Sequence, residues 1–159
     1  MDSLTGKPLA AKIAGMVQRH DDPRGEPNWQ PVTAVTMMAG MLNEQLAANR
    51  EQLELLERAR REPWLLDDAT VDRVKKVFGV QRDDMWLWEE NGRRWQALDL
   101  DTATRTQVEE YMSLAAQFAA TNTEVLALAD EIAGGTINKV MAKSDLELGI
   151  EALRRDGPI

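Results

Sequence analysis

A chain of 159 residues with a formal charge of −8 and no cysteine can bury roughly two-thirds of its unfolded surface as one domain, 1–159, without covalent staples. The absence of cysteine rules out disulfides, thiolate metal sites and cysteine nucleophiles. A pI of about 4.7 repels nucleic acid and anionic membranes, because the few basic clusters (Arg58 to Arg61, Lys75 with Lys76, Arg93 with Arg94) all have acidic neighbours. No apolar run approaches the roughly 20 residues of a membrane span. Lys12 interrupts the apolar part of the N-terminal stretch, making it a poor secretory leader, and a soluble cytoplasmic protein is expected.

In chain order, the first predicted element is a short helix over 8–20, with Leu9, Ile13, Met16 or Val17, and His20 on one side. The proline-rich polar stretch that follows, 21–31, reads as a mobile loop. Over 32–61 a 4-3 spacing links Val35, Ala39, Leu42, Leu46, Asn49, Leu53 and Leu56, with Glu44, Glu51 and Arg58 outside; Pro63 ends that helix.

The stretch MWLWEENGRRW, Met85 to Trp95, poses the main structural question. Asn91-Gly92 between apolar residues is a hairpin signal. Period 2 fails beyond that turn. Steps of three and four instead run unbroken through Val71, Val74, Phe78, Gln81, Met85, Trp88, Gly92 and Trp95. One helix over 68–98 is therefore predicted, capped by Asp67 or Asp68 and containing two glycines that weaken it. Trp88 and Trp95 fall on its core stripe, while Trp86 and Leu87 fall beside it.

A third long helix is predicted over 102–133, where Val108, Tyr111, Ala115, Phe118, Asn122, Val125, Ala129 and Ile132 keep the same spacing. Its apolar face is widened by Met112, Leu114, Ala119, Leu126 and Leu128, which predicts a central position, and Gly134-Gly135 ends it. A last short helix is predicted from Ser144, where Ser-Asp-Leu-Glu has capping-box spacing, to Arg155.

The expected fold is all-α: an antiparallel bundle of three long helices, about 30 residues each, joined by short connectors and flanked by short N- and C-terminal helices. Asn49 and Asn122 occupy stripe positions near mid-helix, so both are expected to be buried and hydrogen-bonded, to one another if their helices run antiparallel. In that alignment Leu56 falls level with Ala115 and Leu42 with Ala129.

Catalytic chemistry has little to stand on. A single histidine excludes the paired Glu-x-x-His ligands of a di-iron bundle and most zinc sites. His20, beside Asp21 and Asp22, suits the C-terminal end of its helix better than phosphotransfer. GGT at 134–136 lacks the lysine of a phosphate-binding loop. Adjacent carboxylates such as Glu89-Glu90 point about 100° apart on a helix and form no acid/base pair by themselves. The expectation is no catalysis, no metal and no cofactor. A helical interaction or assembly module is expected, with protein partners and self-association into a homo-oligomer. Its candidate contact surfaces are Trp86 and Leu87 with Arg93 and Arg94 as a polar rim, the Met37-Met38-Met41 group, and the C-terminal helix. Two other readings are a small-molecule or lipid pocket beside Trp88 and Trp95, and a coat on a granule or membrane surface.

Overall fold

The computed structural model describes residues 26–155. Among them are four α-helices and no β-strand: α1 (Val35–Arg61), α2 (Asp68–Gln96), α3 (Thr102–Ala133) and α4 (Ile137–Arg155). Short 3-10 turns at Val32–Ala34 and Pro63–Leu65 lead into and out of α1. The predicted helix over 8–20, with His20, lies outside the described residues.

Local chemistry sets most boundaries. The Asp67 side chain accepts a hydrogen bond from Thr70 N at 2.7 Å, and Asp101 does the same for Thr104 N at 2.7 Å, so each caps a long helix. Both carboxyls are held below the usual range, chiefly by those threonine hydrogen bonds. At the far end of α3, Gly135 packs closely on Pro63: a Cβ there would sit 3.0 Å from it, so the proline would have to give by a few tenths of an ångström. Asn91 and Gly92 lie inside α2, so the three-and-four register wins over the hairpin signal.

Helix α3 is the middle of the bundle: its backbone lies close to both α1 and α2, whose own backbones stay farther apart. This matches the width of its apolar stripe. Two clusters fill the core. One joins Met38 and Leu42 of α1 to Trp88 and Trp95 of α2 and to Tyr111, Ala115 and Phe118 of α3. The other joins Leu56 to Val71, Val74 and Phe78 and to Val125, Ala129 and Ile132. Leu42 therefore groups with Ala115 and Leu56 with Ala129, the reverse of the antiparallel alignment. The reason is topological, because two reversals of direction bring α3 back parallel to α1. Large residues of α1 still meet small residues of α3 in both clusters.

Between the clusters lies a layer of amides. Asn49 is 1% exposed and Asn122 is 0% exposed, and the two are joined not to each other but to Gln81 of α2. Asn49 Nδ2 donates to Gln81 Oε1 at 2.9 Å, and Asn122 Nδ2 reaches the same oxygen at 3.3 Å while donating to Phe78 O at 2.8 Å. Gln45 Nε2 donates to Asn49 Oδ1 at 2.8 Å. Parallel α1 and α3 bring both asparagines to one level, and Gln81 crosses to meet them from the third helix.

Two predictions follow from this packing. Gln81→Leu keeps the volume but strips Asn49 Nδ2 of its partner in a buried layer, so unfolding free energy falls by about 1–3 kcal/mol; a urea midpoint at or above that of the parent would contradict it. The glycines of α2 separate by environment. A Cβ at Gly79 meets nothing within 4 Å, whereas one at Gly92 meets the Met112 sulfur and the Tyr111 ring at 3.0 Å. Gly79→Ala is expected to stabilise by about 1 kcal/mol, and Gly92→Leu to destabilise by about 1–3 kcal/mol through overpacking, both read as shifts in thermal midpoint.

Candidate functional site

The expected contact strip on α2 is largely used by its own chain. Leu87 is 5% exposed and belongs to the first core cluster, so it is no surface residue. A helix that packs against α3 on one side and looks toward α1 on the other buries a wider arc than one heptad stripe, and Leu87, Asn91 and Trp95 line its second edge. Trp86 is 49% exposed, and its ring stands edge-on to Trp29 at a centroid distance of 6.2 Å. Arg94 covers the Trp29 ring at 4.3 Å. Arg93 turns back to Glu90 at 3.0 Å and Glu89 at 3.4 Å on its own helix.

Residues 28–31 thus form a strap along the C-terminal half of α2. Buried Asn91 accepts from Gln30 N at 2.9 Å and donates to Gln30 O at 3.4 Å, and Trp95 Nε1 donates to that same carbonyl at 2.9 Å. The described part of the expected mobile loop is therefore pinned by its backbone; 21–25 lie outside the described residues.

Trp88 and Trp95 are both buried, at 0% and 2% exposed. Trp88 packs on Phe118 and Trp95 on Tyr111, each with ring centroids 4.9 Å apart. The Tyr111 hydroxyl donates to Trp88 O at 2.9 Å, and burial, helped by Glu89, pushes its pKa far above the usual tyrosine range. Of the methionine group, Met38 is fully buried, Met41 half-buried and only Met37 exposed. Among the described residues no three His, Asp or Glu side chains converge to hold a metal ion, and no helix is long and apolar enough to cross a membrane.

That leaves α4. It begins at Ile137, seven residues before the capping-box signal at Ser144, because a stronger anchor lies upstream. Buried Thr136 donates through Oγ1 to Asp68 Oδ1 at 2.6 Å, and Lys139 Nζ reaches Asp68 Oδ2 at 3.2 Å. Asn138 Oδ1 accepts from Asp68 N at 2.8 Å, and Ile137 N donates to Leu66 O at 2.7 Å. The N-termini of α2 and α4 meet there, and Asp68 supplies the negative charge both positive helix ends favour. Its carboxyl is held below the usual range, first by Thr136 and then by Lys139.

Beyond this anchor, every described side chain of α4 is exposed. Ile137, Val140, Met141 and Leu148 stand toward one side by helical spacing, and Leu146, Ile150 and Leu153 toward the other. Leu153 is 74% exposed.

Because the Asp68 pKa is depressed on folding, the stability it contributes is present above the ordinary aspartate value, about pH 4, and is lost as the pH falls below it. Acid is expected to loosen the base of α4. Protection of the Ile137 to Met141 amides relative to their intrinsic exchange rates should fall as the pH drops below the ordinary aspartate range, and Asp68→Ala should lower the same protection at neutral pH. Unchanged protection in the variant would disprove the anchor.

Compared with known proteins, the chain matches no family model, no curated sequence and no solved structure.

Proposed function

We propose that this chain is a non-catalytic interaction module that works through the surface of α4 and self-associates there. One observation carries the reading: a 19-residue helix leaves seven large apolar side chains, from Ile137 to Leu153, exposed to solvent. Single exposed apolar residues are ordinary on a soluble monomer, but four on one side of a helix and three on the other, with none covered, are what an interaction site presents. Neither core cluster includes a residue of α4. The helix therefore contributes surface rather than interior.

The surfaces first expected to do this work are weaker candidates. Leu87 is core, Trp86 is partly covered by the strap, and two of the three methionines of α1 are turned inward. A pocket for a small apolar ligand beside Trp88 and Trp95 is disfavoured, because aromatic side chains of α3 already occupy that space. The absence of catalysis is part of the proposal, supported by the scattered placement of the described acidic and basic groups on solvated helix faces.

Sedimentation velocity at rising concentration tests the reading. The parent chain is expected to associate reversibly. Met141→Glu with Leu148→Glu, both at exposed positions, should abolish association while the core of α1 to α3, to which α4 contributes no residue, stays folded. A parent chain that stays monomeric throughout, or a variant that associates equally well, would refute the proposal.

A further inference from the structure

Asn91-Gly92 lies near the C-terminal end of α2, and each half of the pair is placed there by a different demand. Packing requires the glycine, because a Cβ at that position would meet the Met112 sulfur and sit 3.0 Å from the Tyr111 ring of α3. The strap requires the asparagine, whose side chain, 0% exposed, serves both the amide and the carbonyl of Gln30. Their adjacency has a chemical consequence. A glycine has no side chain to crowd its backbone nitrogen, so that nitrogen can reach the side-chain carbonyl carbon of a preceding asparagine. Every other asparagine in the chain is followed by a residue that carries a side chain.

We propose that Asn91 is a latent covalent modification site, held unreactive by the strap and converted to aspartate or isoaspartate when the strap opens. In the reaction Gly92 N gives its proton to water and bonds to Asn91 Cγ. The Cγ–Nδ2 bond breaks, and the nitrogen leaves as ammonia with a proton drawn from water. Water then opens the resulting cyclic imide at one carbonyl or the other. The net change is amide plus water to acid plus ammonia, and water is the only co-reactant.

In the closed state every participant is occupied. The Gly92 N–H is committed to the helix ladder, which aims it at the preceding turn and away from its own neighbour's side chain. Asn91 is clamped by Gln30, accepting at 2.9 Å and donating at 3.4 Å. Attack requires the end of α2 to unwind and the Asn91 side chain to swing free. The strap opposes both movements, because Gln30 O also accepts from Trp95 Nε1 at 2.9 Å and so fixes the helix beyond the pair. Trp29, set between Trp86 and Arg94, holds the strap in turn. The rate of conversion therefore follows the population of the locally open form.

The change runs one way. An acid at this position has lost the donor to Gln30 O and brings a negative charge against that carbonyl in a buried place. Isoaspartate also lengthens the helix backbone. Neither product lets the strap close as before, so a transient opening is turned into a permanent one.

Peptide mapping by mass spectrometry, with the folded chain held at mildly alkaline pH, reads conversion at Asn91. Gln30→Pro removes the N–H that Asn91 accepts, and Trp29→Ser loosens the strap while keeping its backbone groups; both leave Asn91 and Gly92 in place. Losing one hydrogen bond to a buried group shifts a local opening equilibrium by roughly ten- to a hundredfold. Gln30→Pro is therefore expected to convert about tenfold faster than the parent or more, and Trp29→Ser also faster than the parent. Val71→Ala weakens the other core cluster and leaves the strap alone, and it is expected to convert at the parent rate. Acceleration in Val71→Ala equal to that of the strap variants would mean that only global unfolding exposes the site, and would overturn the proposal. Strap variants that convert no faster than the parent, or a folded parent that converts as fast as the chain in urea, would overturn it equally.

Discussion

Gln81 is the point on which the bundle closes. Helices α1 and α2 do not approach closely through their backbones, so something long must span between them. An amide at the end of a two-carbon stem does so, collecting Asn49 from α1 and Asn122 from α3 on one oxygen. Leucine at all three positions would remove the desolvation cost of the amides and with it the pairing that fixes their register. With amides, sliding one helix by a residue strands at least one buried donor, which costs far more than the same slip in a uniform apolar seam. The layer also separates the two apolar clusters, so each can pack without dictating the other's side-chain shapes.

Pairing of buried polar groups also explains the strap, although in the amide layer Asn122 Oδ1 is left without a partner. A wide helix such as α2 leaves its second edge uncovered where α1 begins. An extended segment fills that edge only if its backbone groups are paired. Asn91, with one donor and one acceptor, and the Trp95 indole satisfy the carbonyl and amide of Gln30 in this position. Trp29 is then held between Trp86 and Arg94. Three tryptophans from one short stretch thus take three roles: Trp88 is interior, Trp95 is interior with its N–H turned to the strap, and Trp86 is a shelf for another ring.

Much of this was readable in the sequence. The heptad carried α2 through Asn91-Gly92, the width of the α3 stripe placed it centrally, and polar residues at stripe positions marked the amide layer. Three features were not readable, each for a physical reason. The true start of α4 is set by Thr136 and Asn138 meeting Asp68, a contact between residues nearly 70 apart in sequence, while the local capping signal at Ser144 has correct spacing but no free helix end to cap. Leu87 is buried because two neighbours share α2, which one heptad stripe cannot express. The strap reads as a loop because proline-rich polar sequence carries no periodicity, and its order comes from partners more than 60 residues away.

Helix α4 is built differently from the other three, and the difference bears on how it works. A 19-residue helix is only marginally stable in water without tertiary packing. The long helices obtain theirs from the two clusters. What α4 has instead is a nucleus: its first turn is fixed by Leu66 O, Thr136 and Asp68, so the unfavourable step of helix initiation is taken over by the bundle. Propagation beyond that turn gains little without a partner on the apolar stripes. Helical order in the distal half of α4 and occupancy of its surface are therefore coupled. A partner that covers Met141 and Leu148 stabilises the helix that presents them, and the anchor at Asp68 sets the starting point from which that order extends.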